Sequence, residues 1–124
     1  MRALVVDDSK AMRMILKKSL TSCGFDEIHE AGNGLEALDE LADMEWADVV
    51  LVDWNMPEMS GIEFVEAVRA RALYDDVPIV MVTTETEVTQ MIRALDAGAN
   101  EYIMKPFTAE VLREKLDLIG AFGV

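Results

Sequence analysis

The sequence predicts a doubly wound α/β fold, in which a five-stranded parallel sheet of strand order 2-1-3-4-5 is flanked by five helices. A short apolar segment followed by a stretch with helical spacing of apolar residues occurs five times along the chain. Three of the short segments are apolar throughout, as strands covered on both faces require, and the other two carry polar residues typical of sheet edges. Right-handed crossovers between parallel strands then favour this order.

The predicted strands comprise residues 2–7, 26–31, 48–53, 77–82 and 101–104. The continuous apolar segments Ala3–Val6, Val49–Val52 and Ile79–Val82 belong to the first, third and fourth strands. The second and fifth strands contain Glu27-Ile28-His29-Glu30 and Glu101-Tyr102-Ile103-Met104, so we place them at the two edges. The chain changes direction between the first and third strands, and sheets of this class bind ligands beyond the carboxyl ends of the strands at that point.

Five helices are predicted from apolar residues three or four positions apart. Their markers are Met12, Ile15, Leu16 and Leu20; Leu35, Leu38, Leu41 and Ala42; Ile62, Val65, Val68 and Ala72; Val88, Met91, Ile92 and Leu95; and Leu112, Leu116 and Ile119. The expected N-caps are Asn33 and Thr108, together with Ser60 and Thr84, which each precede a glutamate by three residues. Gly24 and Gly98 fall just past helix ends, where a left-handed residue is favoured.

Length and composition indicate one domain over residues 1–124, with 52% hydrophobic residues to form its core. The net charge of −13 argues against non-specific binding to nucleic acid or to anionic lipid, because both need positive charge. The one cysteine, Cys23, allows no internal disulfide. There is no signal peptide and no apolar stretch long enough for a membrane span, so a cytoplasmic protein without membrane insertion is expected.

Polar side chains close four of the predicted strands. Asp7 and Asp8 close the first strand, Asp53 ends the third, Thr83 ends the fourth and Lys105 follows the fifth. Taken singly, each has an ordinary structural explanation, such as a helix cap, a turn residue or a solvated charge. Parallel strands would bring all of them to the same edge of the sheet, and that coincidence favours a functional site.

Three carboxylates placed together disfavour one another's ionisation, and a divalent cation removes that cost. Mg²⁺ prefers oxygen ligands, and Mn²⁺ is an alternative ion. Asp8 and Asp53 are the best candidates for direct ligands, with Asp7 bound directly or through water and the backbone carbonyl of Asn55 within reach. One aspartate would remain free to act as a nucleophile toward phosphorus.

Phosphoryl transfer depends mostly on positioning and on neutralisation of charge. The compact ammonium of Lys105 can pair with a phosphate oxygen, and the hydroxyl of Thr83 can donate to another. These side chains complete a set that suits an aspartyl phosphate.

At these positions the chain resembles the receiver domains of response regulators in bacterial-type two-component signalling, most closely the single-domain, CheY-like chemotaxis type. The resemblance covers essentially the whole chain. It rests on Asp7-Asp8, Asp53-Trp54-Asn55-Met56-Pro57, Gly61, Thr83, Gly98-Ala99 and Lys105-Pro106-Phe107.

The resemblance implies that Asp53 is the phospho-acceptor and that Asp7, Asp8, Asp53 and the Asn55 carbonyl hold Mg²⁺. It implies that Thr83 and Lys105 contact the phosphoryl group and that the peptide bond before Pro106 is cis. Tyr102 corresponds to the switch aromatic, which turns inward as Thr83 moves, so that the face formed by the fourth helix, fifth strand and fifth helix changes its contacts with a partner. Trp54 is expected to report on site occupancy, Trp46 to pack between the second helix and third strand, and His29 to lie on the surface.

Three positions are expected to set the lifetime of the phosphoryl group. Asn55 and Glu85 occupy the variable positions two residues past the acceptor and past the switch threonine, and resemble the fast-cycling chemotaxis types. The family usually has a small residue where this chain has Thr84, whose branched side chain is expected to slow access to the site.

The sequence therefore predicts a signalling switch, not an enzyme in the ordinary sense, which takes a phosphoryl group from a sensor histidine kinase or phosphotransfer protein and acts on a downstream protein. A monomer is expected, with dimerisation on activation as an alternative. A stand-alone receiver of a phosphorelay is a second interpretation. A Mg²⁺-dependent phosphohydrolase is a third, although such enzymes commonly carry an acid where this chain has Asn55. A flavin-binding protein would need a Ser/Thr/Gly-rich phosphate loop in place of Asp7-Asp8-Ser9-Lys10.

Overall fold

The computed structural model describes residues 1–84 and 88–121, in which a five-stranded parallel sheet lies between two layers of helices. The strands are β1 (Arg2–Val6), β2 (Glu27–Ala31), β3 (Val49–Asp53), β4 (Ile79–Thr83) and β5 (Glu101–Met104). The helices are α1 (Lys10–Ser22), α2 (Gly34–Met44), α3 (Gly61–Arg69), α4 (Val88–Ala97) and α5 (Ala109–Leu118), with a 3₁₀ turn at Ala72–Tyr74. The strand order β2-β1-β3-β4-β5 confirms the predicted fold class.

Both faces of the central strands are buried, as their apolar composition predicts. Alternate residues of a strand point to opposite faces, so Leu4 and Val50 belong to the cluster beneath α2, α3 and α4. Val5 and Leu51 belong to the cluster beneath α1 and α5. This double burial makes the sheet a rigid platform for the residues at the strand ends.

Some strand boundaries differ from the predicted ones by one or two residues, for identifiable reasons. β4 begins at Ile79 because Pro78 has no N–H for the ladder, although its carbonyl accepts from the Val50 N–H at 2.9 Å. β1 ends at Val6 because the Asp7 carboxylate accepts the N–H of Ser9 at 2.9 Å and starts the turn into α1.

Side chains cap the helices where the sequence places them. The predicted caps Asn33, Ser60 and Thr108 accept from Glu36, Glu63 and Val111 N–H groups, and Ser60 and Glu63 form a complete capping box. Ser9 caps α1 in the same way. Gly24 and Gly98 have φ values of +99° and +117°, the left-handed backbone expected past a helix end. The glutamate of the capping box predicted at Thr84 lies outside the described residues.

Not all of the apolar residues that mark the helices are buried in the folded chain. Of the residues that mark α4, Met91, Ile92 and Leu95 are 37%, 51% and 48% exposed, while Ala94 is fully buried. A small residue at the contact lets a helix lie close to its neighbours, so the longer side chains of α4 point outward. Ile15 on α1 and Leu35 on α2 are likewise exposed, and Ala72 belongs to the 3₁₀ turn and not to α3.

Two aromatic side chains away from the strand ends have charged neighbours. Trp46 is about half exposed, and the guanidinium carbon of Arg2 lies 5.0 Å from its ring centroid. His29 on β2 places Nε2 at 2.9 Å from Glu27 Oε2 and Nδ1 at 2.7 Å from Glu40 Oε1. The hydrogen bond with Glu27, supported by that with Glu40, raises the pKa of His29.

Arg69 joins the ends of several elements on the side of the sheet that carries α3 and α4. Its guanidinium donates to the carbonyls of Tyr74 and Val77, both at 2.8 Å, and to the carbonyl of Gly98 at 2.9 Å. It also donates to the side-chain oxygen of Asn100 at 2.8 Å. One side chain therefore fixes the end of α4 relative to α3 and to the starts of β4 and β5.

No described helix is long and apolar enough to cross a bilayer.

Replacing Arg69 with methionine should lower the free energy of unfolding by about 2 kcal/mol, because carbonyls that lose their donor while partly buried cost about 1–3 kcal/mol each. The measurement is urea denaturation followed by circular dichroism. Arg71→Met, at an exposed position two residues later, is the control and should change stability by less than about 0.5 kcal/mol. Equal stability of the two variants would contradict the assigned role of Arg69.

Candidate functional site

Parallel pairing brings the carboxyl ends of four strands to one edge of the sheet. Val6 pairs with Val52, and Thr83 pairs with Met104, so β1, β3, β4 and β5 end side by side. The side chains predicted from the sequence lie at these ends. Asp7 follows β1, Asp53 is the last residue of β3, Thr83 is the last residue of β4 and Lys105 follows β5.

Three carboxylates form a cluster at this edge. Asp7, Asp8 and Asp53 each offer an oxygen, and these oxygens lie within 4.8 Å of one another. Asp7 is buried, Asp53 is partly buried and Asp8 is exposed, so the cluster opens to solvent on the side of Asp8. Carboxylates at such a separation repel unless a cation lies between them.

Lys105 supplies the cation of the cluster. Its Nζ lies 3.2 Å from Asp7 Oδ2 and 3.3 Å from Asp53 Oδ1, and its side chain is only 14% exposed. Its backbone N–H donates to the carbonyl of Thr83 at 2.8 Å, which fixes the lysine against the end of β4. The Lys105–Pro106 peptide bond is cis.

Burial raises the pKa of the Asp53 carboxyl group. The ammonium of Lys105 opposes this effect, while the neighbouring Asp7 carboxylate adds to it. The ionised form of Asp53 is therefore held at a cost in free energy, and a further positive charge at the cluster would relieve it.

The donor set of the cluster fits a divalent cation of the hard, oxygen-seeking kind. Three carboxylates and one ammonium have a formal charge of −3 + 1 = −2 when all are ionised. Both oxygens of Asp7 already accept hydrogen bonds, one from Ser9 N–H and one from Lys105. This favours Asp8 and Asp53 as direct ligands of Mg²⁺ and Asp7 as a ligand through water.

The sequence model of the response regulator receiver domain matches residues 3–117 of the chain. The chain belongs to this family. A chemotaxis protein CheY homolog of Campylobacter jejuni is 54% identical over 121 residues, which cover 97% of this chain and 93% of the relative. Chemotaxis protein CheY1 of Helicobacter pylori is 45% identical over 119 residues, which cover 96% of each protein. The high-resolution structure of the chemotaxis response regulator CheY4 of Vibrio cholerae superimposes with a TM-score of 0.86 at 38% identity, covering 95% of this chain and 97% of that one.

The other predicted site residues of the receiver differ in burial. Thr83 is buried, Thr84 is exposed, and Glu85 lies outside the described residues. Asn55 is exposed in the loop that follows Asp53. Tyr102 is buried on the face of the sheet that α4 covers.

Gly61 allows the loop after β3 to pack against the end of β3. The Gly61 N–H donates to the carbonyl of Trp54 at 2.9 Å, and a Cβ atom at position 61 would collide with the backbone carbonyl oxygen of Asp53. The sequence motif includes this glycine, but its contact with Asp53 follows only from the folded loop.

A second contact that the sequence does not indicate connects this loop to α4. The guanidinium carbon of Arg93 lies 5.7 Å from the centroid of the buried Trp54 ring. No local sequence pattern predicts this contact, because the two residues lie on different elements.

Replacing Gly61 with alanine should destabilise the receiver by about 2 kcal/mol, because the added methyl group forces the end of β3 to move. Urea denaturation measures the effect. Gly32→Ala is the matched control, since a Cβ there would meet the flexible end of Glu36 at 3.3 Å, and it should cost far less. A Gly61→Ala variant as stable as the control would contradict the close approach.

Replacing Asp53 with asparagine should stabilise the receiver at pH 7 in the absence of divalent cations, because burial raises the pKa of the Asp53 carboxyl group. The pKa of Asp53 is higher in the folded than in the unfolded chain, so the folded protein binds more protons between the two values and its stability falls as pH rises through that window. Asparagine cannot ionise, so the variant does not lose stability in this way as pH rises.

The advantage of Asp53→Asn should therefore shrink as pH is lowered through the folded pKa of Asp53 toward its unfolded value. Urea denaturation in EDTA over a series of pH values measures it. Asp39→Asn, at an exposed position on α2, makes the same charge change and should have a much smaller effect. A gain that is independent of pH would contradict the electrostatic explanation.

Proposed function

We propose that this chain is a phosphorylation-activated response regulator of a two-component system, which accepts a phosphoryl group on Asp53 from a histidine kinase. The observation that carries the proposal is the position of the Asp53 carboxylate, 3.3 Å from the Lys105 ammonium and within the cluster formed with Asp7 and Asp8. Residues 1–124 would act as a single receiver domain.

In the proposed step, an oxygen of Asp53 attacks the phosphorus atom of a phosphohistidine. The new bond is the O–P bond of an acyl phosphate, the P–N bond breaks, and the departing imidazole keeps the bonding electron pair. Lys105 pairs with an oxygen of the transferred group, and Thr83 donates to another oxygen. Asp8, Asp53, the Asn55 carbonyl and, through water, Asp7 would hold Mg²⁺, which would supply charge neutralisation.

The signal would leave through the face formed by α4, β5 and α5. Met91, Ile92, Leu95 and Met104 expose apolar side chains there. A groove of about 480 Å³ lies between these elements, and its lining includes Met91, Tyr102 and Val111. Exposed apolar side chains beside a groove suit a protein partner. Movement of Thr83 and Tyr102 on phosphorylation would change the shape of this face.

We place the output in chemotaxis because the relatives from Campylobacter jejuni and Helicobacter pylori are named as chemotaxis proteins. The downstream target would be a separate protein, bound by a monomeric receiver. Asn55, Thr84 and Glu85 would set how long the phosphoryl group lasts, so the switch would reset through its own dephosphorylation.

Incubation with acetyl phosphate and Mg²⁺ should add the mass of one phosphoryl group to the native chain and change the Trp54 fluorescence. Asp53→Asn should gain no mass, whereas the control Asp39→Asn should behave as the native chain does. Removing Mg²⁺ with EDTA should slow the reaction at least about tenfold, which corresponds to about 1.4 kcal/mol of lost transition-state stabilisation.

Intact-mass spectrometry and stopped-flow fluorescence provide the two measurements. A native chain that gains no mass, or an Asp53→Asn variant that gains as much as the native chain, would overturn the proposed acceptor. Steady turnover of a small phosphomonoester would favour a phosphohydrolase instead.

A further inference from the structure

Arg93 on α4 covers the ring of the residue that follows the acceptor. Its guanidinium carbon lies 5.7 Å from the centroid of Trp54, within the range of a cation–π contact. Arg93 also donates to Gln90 Oε1 at 3.3 Å, so a neighbour on the same helix orients the guanidinium. The Trp54 side chain is buried, and it belongs to the same apolar cluster as Ala94 of α4.

The backbone of Trp54 is tied to the site. A backbone hydrogen bond joins Trp54 to the Asp53 carboxyl group. The Trp54 carbonyl accepts the N–H of Gly61 at the start of α3. A displacement of the indole ring is therefore transmitted to the loop that carries the acceptor.

The carboxyl end of α4 is held by stronger contacts. Arg69 donates to the carbonyl of Gly98 just past the helix, and the N–H of Ala99 donates to the carbonyl of Ala94 at 3.0 Å. Ala94 is fully buried. Arg93 is itself exposed, so its contact with Trp54 is the weaker restraint on this helix and the one that a small change at the site can overcome.

We propose that Arg93 is a positioning residue, which couples the placement of α4 to the state of Asp53 through the ring of Trp54. The inference rests on the proposed function and names a route for its regulation. In this proposal the contact, which is present with Asp53 unmodified, is lost when Asp53 is modified, and it therefore stabilises the unmodified form relative to the modified one. Modification of Asp53 and displacement of α4 by a partner then favour each other, and by linkage each does so by the same factor.

This arrangement is specific to the pair of side chains. An arginine offers a flat, weakly hydrated cation that stacks on an aromatic face, and a lysine retains the charge but stacks less well. An aliphatic residue at position 93 removes the contact while keeping the length of the side chain. Contacts of this class at exposed sites change an equilibrium by about two- to fivefold.

The test uses the full chain with Trp46→Phe, because the chain has two tryptophans; Trp54 is then the one that remains, and its emission can be excited selectively over that of the tyrosines. Beryllofluoride with Mg²⁺ serves as the probe of acyl phosphate formation at Asp53, and ¹⁹F NMR measures its binding without using Trp54. Arg93→Met should bind beryllofluoride two- to fivefold more tightly than the parent. Arg93→Lys should lie between the parent and Arg93→Met.

A double-mutant cycle separates the contact from a general effect of charge. In a Trp54→Leu background, Arg93→Met should change beryllofluoride binding by less than the experimental error. Trp54→Phe keeps an aromatic ring that binds a cation less strongly. In that background, the effect of Arg93→Met on beryllofluoride binding should be intermediate. This second background keeps the test valid if the Trp54→Leu variant misfolds. Arg71→Met, at an exposed position away from the ring, controls for the loss of one positive charge.

The fluorescence of Trp54 gives a signature that a purely structural role would not produce. Arg93→Met should shift the emission maximum of the ligand-free protein toward that of the beryllofluoride-bound parent. An unchanged dissociation constant in Arg93→Met, or the same change in the Trp54→Leu background, overturns this inference alone. A parent protein that does not bind beryllofluoride overturns the proposed function and this inference with it.

Discussion

The balance of charge at the carboxyl edge of the sheet is the constraint around which the rest of the molecule is arranged. Asp7, Asp8 and Asp53 present oxygens within 4.8 Å of one another, and Lys105 bridges two of them. The ammonium compensates only part of the negative charge, and burial raises the pKa of Asp53. The folded protein thus keeps a net negative charge at this edge of the sheet, which a divalent cation would neutralise.

Such a cluster persists only on a scaffold that cannot relax away from it. The two apolar layers bury β1, β3 and β4 on both faces, so the strand ends keep their relative positions. Gly61 lets the loop after β3 lie against the backbone of Asp53 at the end of that strand. Arg69 secures the opposite end of the molecule by binding backbone carbonyls beside β4 and β5. Contacts at both ends of the sheet thus hold the other elements in place. Helix α4 buries the small residue Ala94 and exposes its larger apolar side chains, so it is the helix that the proposed switch would move most easily.

Helical periodicity predicted α4 but did not show which of its apolar side chains are buried. The spacing of Met91, Ile92 and Leu95 shows that these residues share a face, and it cannot show what lies opposite that face. In the folded chain, Ala94 is fully buried, whereas Met91, Ile92 and Leu95 are exposed, and Met91 lines a groove together with Met104 of β5. An apolar stripe turned outward is better explained by binding to a partner than by folding.

The sequence by itself determined the fold class, the strand order and the residues of the acidic cluster, because buried strands, edge strands and capping residues each have local signatures. It also placed Asp7, Asp53, Thr83 and Lys105 at strand ends, from which parallel pairing brings them together. Only the tertiary structure decided which oxygens Lys105 bridges, that Gly61 touches the carbonyl of Asp53 and that Arg93 covers Trp54. These contacts join residues that are distant in sequence, and they depend on how close the elements pack, which no local pattern encodes.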